Sequence, residues 1–327
     1  MIQTYATYYG KLAGHADFIS ENGQQKLISL IDAWLSRAME QLSHYPDWKS
    51  SYDNAGAIDF AFVSQASQLT LIGSLRPSRD TSGRRFPFLI AATIPRDDIR
   101  LFRCAPSALG NSYTKLSKLT DAAVNGIELN VLQNELSQLN CAHDFDNAIT
   151  CDPLGNFVRE TTLEELSLIL GGKNTSQSVA RTLLSIGLVM QQLLTSTNTH
   201  IDKELELPLP HITDEKYWNV AGLWLYLITA FIRNPTTEIQ IIIKRDIVQP
   251  RMFIGLNGSA AHPLCTALMG TCRSERNVCL INPEWVSTPT SILYHSSGIS
   301  KLTSYLAQPT LSLERIIGTF RETFLKA

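Results

Sequence analysis

The stretch Ile58–Ile94 reads IDFAFVSQASQLTLIGSLRPSRDTSGRRFPFLIAATI, and its punctuation decides the fold. Ile58–Gln65 and Leu69–Leu75 are rich in β-branched and aromatic residues and are separated only by Ala66-Ser67-Gln68, so they predict a hairpin. Phe86–Ile94 is a third run of the same kind, reached after a Ser/Arg/Gly loop, and predicts a neighbouring strand. Upstream, Thr4–Leu12 is a short Tyr/Thr-rich strand signal before Gly14 and the polar Ser20-Glu21-Asn22-Gly23. Between them Leu27, Ile31, Trp34, Leu35, Ala38 and Leu42 recur at helical steps, predicting a helix over about 24–43 that Pro46 ends. Strands interspersed with long helices give an α/β fold with helices packed on a central sheet.

Downstream, residues 106–138 alternate weak helical periodicity with breaks. Cys141–Asn156 gathers Asp144, Asp146, Asn147, Asp152, Pro153 and Gly155 and reads as a loop. It is the best internal boundary, between a unit over 1–150 and a helical and strand region over 151–327. Thr162 and Glu165 form a capping box for a short helix that stops at Gly171-Gly172, and Val179, Leu183, Ile186 and Leu193 mark a second helix. A polar connection from Thr195 to His211 leads to an apolar helix from about Tyr217 to Ile232, capped by Thr213 with Asp214 and Glu215 at its positive end. Arg233-Asn234-Pro235 ends it. Glu238–Val248 and Arg251–Leu256 read as strands and Leu302–Leu325 as a helix. Two late strands alone are marginally stable, which favours one continuous architecture. Whether they extend the first sheet or build a second domain stays open at this level.

Composition narrows the function. The 327 residues are 44% hydrophobic and 18% charged, a balance that fits a packed core and excludes long-range disorder. Lys and Arg total 28 against 30 Asp and Glu, so no nucleic-acid partner is expected. Six scattered cysteines and no cationic, apolar leader favour reduced thiols in a cytoplasm. The apolar helix is shorter than the roughly 20 residues that cross a bilayer, so no membrane insertion is expected. No nucleophile elbow, phosphate loop, dinucleotide fingerprint or paired-histidine zinc motif occurs. His262, Cys265, Cys272 and Cys279 lack the paired spacing of a structural zinc site. No catalytic residue, metal or cofactor is therefore assigned.

Two polar clusters remain. Gly10-Lys11-Leu12-Ala13-Gly14-His15-Ala16-Asp17-Phe18 carries Lys11, His15 and Asp17 at a strand end. Pro77-Ser78-Arg79-Asp80-Thr81-Ser82-Gly83-Arg84-Arg85-Phe86-Pro87-Phe88 follows Arg76 and gives four arginines and one acid over ten positions, a local positive patch. Guanidinium forks suit a carboxylate-rich or phosphorylated partner. The structural alternative is a tight loop in which Asp80 caps turn amides and Arg84 pairs with Asp17. Arg84 is expected to be partly covered and held by Asp17 or Asp80, with Arg76 and Arg79 exposed.

These clusters resemble the TagF family, also called ImpM, of type VI secretion-associated proteins. That family carries G-K-[LIV]-P-x-x-G-D-F near its start, and P-S-x-D-x-x-G-R-x-F-P-L about 60 residues later. Here the first has Ala13 for proline and Ala16 for glycine, and the second departs only at Phe88. Trp34-Leu35, Trp48 and Tyr52 also look like family aromatic positions. The resemblance covers residues 5 to about 95. It implies a three-layer α/β sandwich with a central mixed sheet flanked by helices. It also implies a cytoplasmic negative regulator, which holds type VI secretion off after translation by binding the forkhead-associated scaffold protein Fha. Lys11, His15, Asp17, Ser78, Arg79, Asp80, Arg84 and Arg85 are the motif residues that would serve partner binding. Some relatives are fused to a metal-dependent Ser/Thr phosphatase, whose paired-aspartate motifs this sequence lacks. The competing readings are a hydrolase using His15, Asp17 and Asp80 as acid and base groups, and a structural subunit of the secretion apparatus.

Overall fold

The computed structural model describes residues 4–21, 25–67, 69–95, 97–171, 174–195, 202–211, 214–246, 248–270, 275–287 and 297–325. In chain order the first part runs β1 (Tyr5–Gly10), β2 (Ile19–Ser20), α1 (Gln25–Ser43), α2 (Trp48–Asp53), β3 (Ala57–Ser64), β4 (Thr70–Arg76) and β5 (Phe88–Ile94). Helices α3 (Ile99–Ala108), α4 (Gly110–Val124), α5 (Leu129–Ser137), α6 (Cys141–Cys151), α7 (Pro153–Glu160), α8 (Leu163–Leu170) and α9 (Ser176–Thr195) follow. Then come β6 (Glu204–Pro208), α10 (Glu215–Thr229), β7 (Glu238–Arg245), β8 (Arg251–Gly255), α11 (His262–Met269), β9 (Asn277–Cys279), α12 (Ser297–Leu306) and α13 (Leu313–Phe324).

Among the described residues the strands form one mixed sheet in the order β2-β1-β5-β4-β3-β7-β8-β6-β9, antiparallel except for the β6–β9 ladder. Alternation along each strand divides the core into two layers. On β3, Ile58 and Phe60 face Ile31, Trp34, Leu35 and Leu42 of α1 and Leu264 of α11, while Ala61 and Val63 face the larger helical layer of α3–α10. The result is the expected three-layer sandwich. β7 lies directly against β3, from Ala57↔Arg245 to Ser64↔Glu238, so the late strands extend the early sheet.

The expected loop over Cys141–Asn156 is two helices instead. Its loop-like residues are caps: Asn140 accepts the His143 amide at the start of α6, and Asp152, left-handed at φ 45°, ends α6 and caps α7 by accepting the Gly155 amide. Pro153 sits at the helix start, where its missing N–H is harmless. The Thr162–Glu165 capping box forms as expected. The polar connection before α10 conceals β6, and α10 is capped by Asp214, whose carboxylate accepts the Tyr217 amide. Thr213, Gly172 and Cys272 lie outside the described residues. The single helix expected over Leu302–Leu325 is two, α12 and α13, separated around Pro309.

Candidate functional site

The two motifs meet at one end of the sheet. β1 ends at Gly10, whose φ of +137° suits only glycine, and a Cβ there would lie 2.0 Å from the Pro87 carbonyl oxygen. This close approach of β1 to β5 carries Lys11 inward, where it is only 6% exposed and donates from Nζ to Asp80 Oδ2 at 2.9 Å. Asp80 is itself 2% exposed. Its Oδ1 accepts the amides of Ser82 at 2.9 Å and Arg84 at 3.0 Å, closing a turn in which Gly83 adopts φ +79°. Its Oδ2 also accepts Arg84 Nε at 2.7 Å. Burial would raise the Asp80 pKa, but Lys11, the two amides and the Arg84 guanidinium hold it well below the usual carboxylate range.

The same turn is fastened to its surroundings. Thr81 donates its amide to the His15 carbonyl at 3.0 Å, and Arg84 Nη2 donates to the Ala16 carbonyl at 2.8 Å. The Tyr52 hydroxyl accepts the Ser78 amide at 2.9 Å and donates to the Ser78 carbonyl at 3.0 Å. Arg85 forks onto both Asp53 oxygens at 2.9 and 2.6 Å, and this bond lowers the Asp53 pKa. Arg79 Nη2 approaches the same carboxylate at 3.7 Å.

Above this base lies an aromatic and guanidinium rim. Phe18 is 42% exposed, stacks on Tyr9 with centroids 5.6 Å apart and meets Phe86 edge-on at 4.8 Å. Lys11 Nζ lies 4.8 Å from the Phe18 ring centre. The side chains of Arg79 and Arg84 are 54% and 60% exposed. An exposed ring and two exposed guanidiniums on these linked motif segments are the groups that suit an apolar, acidic protein surface.

The eight motif residues thus divide by depth. Lys11 and Asp80 form a buried pair, Ser78, His15 and Arg85 are half-buried, and Asp17, Arg79 and Arg84 reach solvent. Arg84 is held by Asp80, not by Asp17, whose carboxylate instead accepts the Phe18 amide at 2.8 Å. Arg76 corrects the expectation of an exposed loop residue. As the last residue of β4 it points into the helical layer, 7% exposed, and bonds Asp121, Ser117 and Ser74. Asp121 lies 45 residues away on a separate helix, and no local pattern pointed to it. Asp53 was likewise missed, although it directly follows Tyr52. No hydrogen bond or ion pair joins the side chains of His15, Asp17 and Asp80 among the described residues, and no three His, Cys, Asp or Glu side chains there converge as a metal site.

A buried ion pair that fixes one loop against a strand end, beneath an exposed aromatic rim, defines an α/β scaffold that displays a preformed surface. Residues 7–139 match the TagF N-terminal domain, described as type VI secretion system-associated. The chain therefore carries a TagF N-terminal domain, over less than half of its length. The crystal structure of PA0076 from Pseudomonas aeruginosa PAO1 is similar at 23% identity, over 41% of this chain, with a TM-score of 0.36. The match spans 62% of that chain's length. No curated protein matches the sequence. No helix among the described residues is long and apolar enough to cross a membrane.

Proposed function

We propose that this protein is a post-translational negative regulator of type VI secretion that acts by binding the forkhead-associated scaffold protein Fha. The match of residues 7–139 to the TagF N-terminal domain carries this reading. It is supported by the exposed side chains of Phe18, Arg79 and Arg84, carried on segments that the buried Lys11–Asp80 pair joins. Binding suffices for inhibition, because a regulator need only hold the scaffold more tightly than its assembly partners do. Activity then requires no turnover, and Asp80 serves as an internal strut for the rim.

Raising the level of the protein in a secreting bacterium tests this directly. Secretion should fall while the transcription and abundance of the apparatus components stay constant. Unchanged secretion at high levels of folded protein would refute the proposal.

A further inference from the structure

At the opposite end of the sheet two buried groups face each other without bonding. Glu204 on β6 is fully buried, and His262 at the start of α11 is 8% exposed. Glu204 Oε2 lies 3.9 Å from His262 Nε2, and neither atom has a hydrogen-bond partner among the described residues. The other Glu204 oxygen is satisfied by Thr266 Oγ1 at 2.8 Å and Asn277 Nδ2 at 2.9 Å. The second ring nitrogen, Nδ1, lies 4.0 Å from Asp202 Oδ1, and Arg276 pairs with that carboxylate at 3.1 Å.

His262 thus sits between two carboxylates, each just beyond bonding distance. With the neutral ring protonated on Nδ1, toward Asp202, both Nε2 and Oε2 are acceptors and cannot bond. An unsatisfied buried acceptor costs about 1–3 kcal/mol, so the arrangement is poised to take up a donor. We propose that Glu204 and His262 form a proton-operated latch, in which uptake of one proton between Oε2 and Nε2 closes the gap and adds a second tie between α11 and β6 beside the Thr266–Glu204 bond. The proton bonds to one atom and is accepted by the other, so the closed state is the same hydrogen bond on whichever side the proton resides. Burial lowers the His262 pKa, opposed by Asp202 and reinforced by Arg276, whereas burial raises that of Glu204. These opposite displacements favour a proton held jointly. Because α11 packs on β7, β8, α1 and α2, the latch would set how firmly β6 is joined to the helices of the TagF N-terminal unit.

Ring resonances of isotope-labelled histidine, followed between about pH 5 and 8, test the latch. The expected result is a His262 midpoint at least about one pH unit higher in the wild type than in Glu204→Gln, whose neutral amide neither titrates nor stabilises a charged ring. If Glu204→Gln does not fold, His262→Gln provides the second reading. Amide protection of α11 relative to α1 should rise as pH falls in the wild type and stay flat in His262→Gln. Equal His262 midpoints in wild type and Glu204→Gln would overturn the proposal, as would equal protection profiles in wild type and His262→Gln.

Discussion

Lys11, Asp80 and Arg84 belong to motifs that are conspicuous in the sequence, yet their roles differ by depth. Asp80 is enclosed and accepts from Lys11, Arg84 and two turn amides, so its charge is needed for the loop to hold its shape. Its pKa is depressed in the folded protein, so it contributes stability above its unfolded value of about 3.9, and that contribution is lost as pH falls further. Asp80→Asn should therefore melt several degrees below the wild type at neutral pH. Thermal melts at descending pH should show the difference shrinking below about pH 4, where the wild type loses the same contribution. A constant difference across the acid range would assign the Asp80 effect to packing. The clustering of charge was legible in the sequence, but its depth was not. Arg76 and Arg79 are three positions apart in one basic run, yet Arg76 ends a strand and points inward to Asp121 while Arg79 points outward. Strand alternation and a distant helix decide that, and neither is local information.

At the scale of elements, the misread segments are those where a polar residue has a structural use. Asn140, Asp152 and Pro153 are loop-forming residues in isolation, but between two short helices they supply caps and a start. Asp152 does two jobs, taking the left-handed conformation that ends α6 and capping α7. Asp152→Ala should consequently cost about 1–2 kcal/mol, and Asp152→Gly less, since glycine is tolerated at both positions. Urea unfolding of the two variants measures this order, and equal costs would contradict the dual role. β6 escaped for a related reason. Its Glu-Leu-Glu-Leu-Pro sequence buries both glutamates, Glu206 against Arg251 and Glu204 against Thr266 and Asn277, so residues that usually signal a solvated face lie inside the sheet. The hairpin of β3 and β4, by contrast, was readable because its apolar runs and its turn agree.

Over the whole molecule, one sheet joins the two halves of the chain. The β3–β7 ladder is reinforced by an ion pair between Asp59 and Arg245, whose guanidinium also lies 5.1 Å from the Trp218 ring. The TagF N-terminal match ends at residue 139, while the sheet continues through β7, β8, β6 and β9. The motif rim at the β1 end is thus anchored to a scaffold larger than the matched segment. If the protein works by occupying Fha, recognition resides in this rim, and a charge reversal there should weaken binding without unfolding the loop. Arg79 is the residue to change, because it is exposed and only loosely paired with Asp53. The most direct measurement is a calorimetric titration of purified Fha with wild-type protein and with Arg79→Glu at low and moderate salt. Saturable wild-type binding, weakened by Arg79→Glu most strongly at low salt, is the expected result. Folded wild-type protein that gives no binding isotherm with Fha would contradict the account.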